Sequence, residues 1–236
     1  MIPEESNALL ACRDLRFAWN GHRDAIALSR FDVSRGERVF VCGPSGSGKS
    51  TLLSLIAGIS VPREGRITLL GTVLSELSAA RRDRLRADHL GYIFQQFNLL
   101  PYLGLVDNVL LGCTFSERRT IAAALRGSPR EEAERLLAAL GLDPTELRQR
   151  RVAELSVGQQ QRVAAARALI GAPELVLADE PTSALDADAR DAFVALLLAE
   201  CRRNGSAVVF VSHDLALAQH FDRVARLLPA DETRAA

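Results

Sequence analysis

The chain has 236 residues, which is long enough for one α/β domain with an inserted lobe and a sizeable core. Hydrophobic residues make up 48% of the sequence and charged residues 25%, so disordered and fibrous classes are excluded. The 29 basic and 29 acidic residues balance to a formal net charge of zero, and we therefore expect no nucleic acid as a partner. Four scattered cysteines, with no apolar run of membrane-spanning length and no N-terminal signal pattern, favour a cytoplasmic location.

The first predicted elements are short strands. Apolar runs separated by turns over residues 8–42 predict an antiparallel β subdomain that leads into a glycine-rich segment. Its last run, Arg38–Cys42, is typical of a short buried strand, and the apolar positions over residues 50–57 predict a helix. The glycine-rich segment therefore connects a strand to a helix.

That segment, residues 43–51, matches the phosphate-binding pattern G-x-x-x-x-G-K-[ST] and is called the P-loop below. It contains Lys49, the only lysine in the chain, at a place that suits a compact ammonium on a flexible stem. Inward-facing backbone N–H groups and the start of the following helix add positive charge. We expect Lys49 to be catalytic by reaching the β- and γ-phosphates of a nucleotide, and Ser50 to bind Mg²⁺. The predicted nucleotide-binding residues are Gly43, Pro44, Ser45, Gly46, Ser47, Gly48, Lys49, Ser50 and Thr51.

The elements after residue 57 predict a core that a helical segment interrupts. Strands are expected over residues 66–70 and 90–94, and residues 97–157 are mainly helical, with a capping box formed by Ser128 and Glu131. Helix and strand then alternate again, with helices over residues 158–170, 187–203 and 214–220 and strands over residues 174–178 and 206–211.

This order predicts an α/β fold with a P-loop NTPase core, a mostly parallel sheet flanked by helices. An N-terminal antiparallel β subdomain precedes the core, and an α-helical subdomain is inserted in it. Within a single domain of residues 1–236, the core is expected to comprise residues 43–95 and 158–236, and the helical subdomain residues 96–157.

Two carboxylates, Asp179 and Glu180, directly follow the strand predicted over residues 174–178. In open α/β sheets, ligands bind at the carboxyl ends of the strands, beside the P-loop in this case. We therefore expect Asp179 to hold Mg²⁺ or its water, and Glu180 to orient or deprotonate an attacking water.

Residues 155–163 read LSVGQQQRV and resemble the signature of the ATP-binding cassette (ABC) family, LSGGQ followed by QQRV. The resemblance extends over essentially the whole chain and implies an ATPase that uses ATP and Mg²⁺. It also implies a head-to-tail homodimer in the ATP-bound state, in which Ser156, Gly158 and Gln159 bind the γ-phosphate held by the other copy. Val157 stands where the family usually has glycine.

The resemblance assigns three further residues. Gln95 is similar to the family's Q-loop glutamine, which contacts Mg²⁺ and the attacking water, although Gln96 is the alternative. His213 resembles the histidine that contacts the γ-phosphate. Trp19 falls where the family keeps an aromatic residue on the adenine, with Phe17 as the alternative.

Residues 94–101 and 105–109 are similar to the lipoprotein-releasing and macrolide-exporting branch of the family. This implies an ATPase subunit, peripheral on the inner face of the cell membrane, that powers a separate permease exporting or extracting lipoprotein, lipid or drug. The permease would dock near residue 95 and the helical subdomain through Phe97, Leu99, Leu100 and Tyr102, unless these side chains form the core of that subdomain. The alternative function is the ATPase of a membrane complex that transports nothing, of the cell-division type.

Overall fold

Two β-sheets organise the part of the chain that the computed structural model describes, residues 8–19, 24–125, 127–143, 145 and 150–230. The strands are β1 (Ala8–Phe17), β2 (Ile26–Ser34), β3 (Arg38–Cys42), β4 (Glu64–Leu69), β5 (Thr72–Val73), β6 (Leu90–Ile93), β7 (Leu175–Asp179), β8 (Ala207–Val211) and β9 (Arg223–Arg226). The helices are α1 (Lys49–Ile56), α2 (Ala79–His89), α3 (Leu105–Leu110), α4 (Glu117–Ala124), α5 (Pro129–Ala139), α6 (Val157–Leu169) and α7 (Ala187–Asn204).

One sheet is antiparallel and has the strand order β2-β1-β4-β5. The expectation of antiparallel strands through residue 42 is wrong for β3, which lies in the other sheet. Its residues from Val39 to Cys42 are all buried, and a strand covered on both faces is typical of a parallel sheet. The antiparallel sheet is instead completed by β4, which we had expected in the core.

The second sheet is parallel and has the strand order β6-β7-β8-β3-β9. All residues of β7 and β8 are buried, in agreement with the continuous apolar runs of the sequence. Because these strands are parallel, the segments that follow β3, β6, β7 and β8 leave the sheet at the same edge. This edge of the sheet therefore carries the P-loop together with Gln95, Glu180 and His213. The outer strand β9 was not predicted.

Helices α3 and α5 pack with α6 on one side of the parallel sheet, and α4 packs with α5. The predicted capping box is confirmed, because Ser128 accepts from the backbone N–H of Glu131 and the Glu131 carboxylate accepts from the N–H of Ser128. The helix expected over residues 214–220 is a 3₁₀-helix, Leu215–His220. Among the described residues, no helix combines the length and apolarity needed to cross a membrane.

Candidate active site

The P-loop turns sharply into α1. Gly48 caps the helix with φ 90°, and a Cβ there would lie 2.4 Å from the carbonyl oxygen of Ala25, so only glycine fits. Lys49 is the first residue of α1 and is 9% exposed. Its Nζ donates to the carbonyl oxygens of Gly43 and Pro44, each at 3.0 Å. The ammonium is therefore held inside the loop, where phosphates would approach the backbone.

Ser50 and Asp179 join the P-loop to the end of β7. The Ser50 hydroxyl donates to Oδ1 of Asp179 at 3.0 Å. Burial raises the pKa of Asp179, and the charge of Glu180 adds to this effect, while the Ser50 hydrogen bond and Lys49 oppose it. A hydroxyl and a carboxylate oxygen at this distance fit Mg²⁺, which prefers oxygen ligands and is often held by one or two carboxylates with substrate phosphates.

Glu180 and His213 form a hydrogen-bonded pair at the same edge. Nδ1 of His213 lies 2.8 Å from Oε2 of Glu180. The backbone of Glu180 has φ 44°, in the left-handed region that residues with a side chain seldom adopt. Its N–H donates to the carbonyl oxygen of Val211, the last residue of β8, at 3.0 Å. This strained conformation directs the carboxylate away from the sheet and towards the P-loop.

One cavity of about 650 Å³ is lined by Lys49, Ser50, Glu180 and His213, and Asp179 is connected to it through the hydrogen bond to Ser50. The cavity brings together most of the predicted site. Its lining residues are Trp19, Ala25, Ser45, Gly46, Gly48, Lys49, Ser50, Thr51, Gln95, Glu180 and His213. Of these, Ala25 was missed by sequence reasoning, since an alanine carries no chemical signal.

The cavity also bears on the two alternatives that the sequence left open. Trp19 lines it and is 63% exposed, whereas Phe17 is buried with its ring edge-on to Trp19 at a centroid distance of 5.0 Å. Gln95 lines it too, while Gln96 is not among the described residues that do. The geometry therefore favours Trp19 and Gln95 as the residues that face a ligand.

The signature residues lie elsewhere. Ser156 caps α6 and accepts from the N–H of Gln159 at 3.3 Å, and Oε1 of Gln159 accepts from the N–H of Ser156 at 3.0 Å. Val157 is 48% exposed at the first position of the helix. Within the described residues, none of the signature side chains lines the P-loop cavity.

The four residues predicted to dock the permease differ in burial, and Leu100 is half-buried. Phe97 and Leu99 are partly buried and pack against the hydrophobic core, as the alternative interpretation required, while Tyr102 is 65% exposed. A second cavity of about 610 Å³ lies nearby, between α2 and the segment from α3 to α4. Leu90, Phe94, Leu111 and Phe115 give it apolar walls, with Arg84 and Arg86 at one side.

Comparison with known proteins gives consistent results. A family model described as ABC transporter matches residues 28–183. The lipoprotein-releasing system ATP-binding protein LolD of Novosphingobium aromaticivorans is 39% identical over 225 residues, 94% of this chain and 97% of that protein. The macrolide export ATP-binding/permease protein MacB of Escherichia coli is 39% identical over 88% of this chain, which spans 31% of that longer protein. The dimeric post-hydrolysis structure of the ATP-binding cassette MJ0796 with ADP and Pi has a TM-score of 0.81 and 33% identity, covering 92% of this chain and 94% of that one.

Proposed function

Because the chain belongs to the ABC transporter family, we propose that the P-loop cavity binds Mg·ATP and hydrolyses it with the residues that line it. The chain is an ATP-hydrolysing subunit of a multichain ABC transporter. The observation that carries the assignment of residues is the convergence of Lys49, Ser50, Glu180 and His213 on one cavity, with Asp179 hydrogen-bonded to Ser50.

The P-loop holds the phosphate tail. Lys49 and the surrounding backbone N–H groups balance the charge of the β- and γ-phosphates. Ser50 and Asp179 would hold Mg²⁺, which when bound would supply positive charge that stabilises the phosphates. Trp19 stacks on the adenine, and such stacking is worth about 1–3 kcal/mol in comparable base–aromatic contacts.

Hydrolysis is the attack of water on the γ-phosphorus. As the new bond to phosphorus forms, the bond from phosphorus to the bridging oxygen breaks and ADP leaves. Glu180 takes the proton of the attacking water, and its strained backbone and the bond to Val211 fix its position. His213 holds one oxygen of the Glu180 carboxylate and lines the same cavity as the P-loop, where it would contact the γ-phosphate. The side-chain amide of Gln95 would contact the attacking water and the Mg²⁺ site.

One copy does not complete the site. Ser156, Gly158 and Gln159 are expected to contact the γ-phosphate of a second copy, in a head-to-tail dimer with two ATP molecules at its interface. The Ser156 oxygen already accepts the capping bond, but its O–H can still donate to an anion. The dimeric structures of the MJ0796 cassette support the pairing of two copies.

A mixing experiment tests the arrangement. Lys49→Ala and Ser156→Arg subunits should each be nearly inactive alone, because each homodimer has two incomplete sites. A mixed dimer contains one intact site, made from the P-loop of one variant and the signature of the other. An equal mixture should therefore regain up to about a quarter of the wild-type rate of phosphate release. If the mixture stays as inactive as its components, the two motifs do not share a site in the dimer.

The membrane permease is the other partner, and we propose that it docks on the cavity between α2 and the α3–α4 segment. Phe115 is 76% exposed there, beside apolar walls formed by Leu90, Phe94 and Leu111, and Tyr102, which is 65% exposed outside this cavity, is a further candidate contact. This contact would hold the subunit at the inner face of the membrane. The names of the relatives, lipoprotein release and macrolide export, favour a lipoprotein, lipid or drug as cargo over a cell-division role.

A further inference from the structure

The turn that carries Gln95 is strained. It spans residues 95–98 and is separated from the end of β6 by Phe94, and Phe97 and Asn98 have φ values of 59° and 49°. Both residues therefore occupy the left-handed region, which costs free energy for any residue with a Cβ and more for a bulky one. Two consecutive residues of this kind persist only when surrounding contacts hold them.

Arg167 supplies such contacts from α6. Its Nη1 donates to the carbonyl oxygen of Asn98 at 2.6 Å, and its Nη2 donates to that of Phe97 at 2.5 Å. The planar guanidinium thus holds two successive carbonyls, a geometry that a lysine ammonium does not reproduce. Burial lowers the pKa of Arg167, and within the described residues its side chain makes no ion pair. Among the described residues, the Arg167 side chain therefore hydrogen-bonds to the turn and does not pair with a carboxylate.

The helix that carries Arg167 is fixed against the strand that precedes the turn. A Cβ at Gly91, in β6, would lie 2.3 Å from the carbonyl oxygen of Ala168. So close an approach leaves little room for α6 to slide relative to β6. Arg167 therefore holds the turn from a rigid base, with the phenyl ring of Phe97 packed against the core as a second anchor.

We propose that Arg167 is a positioning residue for hydrolysis. By holding Phe97 and Asn98 in the left-handed conformation, it sets the direction in which Gln95 enters the P-loop cavity. The inference rests on the proposed function, because it takes Gln95 as a group that contacts the water and Mg²⁺. Among the described residues that line the P-loop cavity, Arg167 is not included, so it acts through the turn.

The test separates turnover from binding. The single tryptophan, Trp19, lines the cavity, so its fluorescence reports Mg·ATP binding in each variant. Arg167→Ala should lower kcat about tenfold or more, as a misplaced group does, with the Kd of Mg·ATP changed by less than about threefold. Adding Asn98→Gly should restore most of the lost kcat, because glycine takes a positive φ without strain. A general loss of α6 packing would not be restored by that glycine.

Arg162→Ala is the matched control. Arg162 lies on the same helix and also donates to two carbonyls, those of Leu140 at 2.8 Å and Gly141 at 3.1 Å. Gly141 has φ 77° and, as glycine, holds no strain. This variant should keep kcat close to the wild-type value even if its Tm falls.

Two results would overturn the proposal. One is an unchanged kcat in a folded Arg167→Ala variant, and the other is a loss that Asn98→Gly fails to restore. If Arg167→Ala does not fold, Arg167→Lys with and without Asn98→Gly decides in the same way, because the lysine keeps the charge but lacks the planar fork. A wild-type chain that neither binds nor hydrolyses Mg·ATP would refute the proposed function instead, and Trp19 fluorescence distinguishes the two failures.

Discussion

Two glutamate–histidine pairs lie at opposite ends of β7 and differ in what surrounds them. At the carboxyl end, Oε2 of Glu180 is 2.8 Å from Nδ1 of His213. At the amino end, Oε2 of Glu174 is 3.1 Å from Nδ1 of His89. The two pairs have the same chemistry and almost the same length, so neither property alone identifies an active site.

Their second partners distinguish them. The other oxygen of Glu174 accepts from Arg118, which also donates to the backbone of Asp88, so this pair is part of an ion-pair network. Glu180 faces the P-loop cavity from a strained backbone. The carboxylate at the carboxyl edge of the parallel sheet is thus directed towards a ligand, and the one at the amino edge ties α2 and α4 to the sheet.

The largest expected difference between the pairs is in turnover. Glu180→Gln should lower kcat about 10²–10⁴-fold, the usual contribution of a general base, while Mg·ATP still binds. The variant should also accumulate an ATP-bound dimer, measurable by light scattering. Glu174→Gln is the matched control and should hydrolyse ATP at close to the wild-type rate. Equal rates of phosphate release by the two variants would show that Glu180 is not the general base.

Substitutions of the two histidines should also differ in their effect on kcat, but by a smaller factor. His213→Ala removes a hydrogen bond to a charged group near the phosphate, and kcat should fall about 10- to 100-fold. His89→Ala should leave kcat unchanged and lower Tm only. Steady-state kinetics beside thermal unfolding decide this, and a kinetic defect in His89→Ala as large as that in His213→Ala would mean that the two ends of β7 are not functionally distinct.

The contrast also indicates which features could be predicted from the sequence. The P-loop and the cap at Ser128 were predicted because they depend on neighbouring residues only. The parallel pairing of β3, the strand β9 and the contact of Arg167 with the turn at residues 95–98 join distant parts of the chain, and no local pattern encodes them. Choosing between Trp19 and Phe17 likewise required knowing which face of β1 the core covers.

The smallest expected effect is on stability and its dependence on pH. Burial by itself raises the pKa of Glu174, but its hydrogen bond to His89 and the charges of His89 and Arg118 outweigh burial, so the pKa lies below its ordinary value of 4.5. A carboxylate with a lowered pKa stabilises the fold above its unfolded-state pKa, and this contribution is lost as the pH falls through the folded-state value. Glu174→Gln should therefore lower Tm at pH 7 by about 2–4 °C if the network contributes about 1 kcal/mol. The difference in Tm between Glu174→Gln and the wild type should close as the pH falls below 4.5.

Glu76→Gln, which alters an exposed carboxylate on the 3₁₀-helix Leu74–Glu76, is the control and should shift Tm little at any pH. A gap that persists at low pH would mean that Glu174 stabilises the fold through packing and not through its charge.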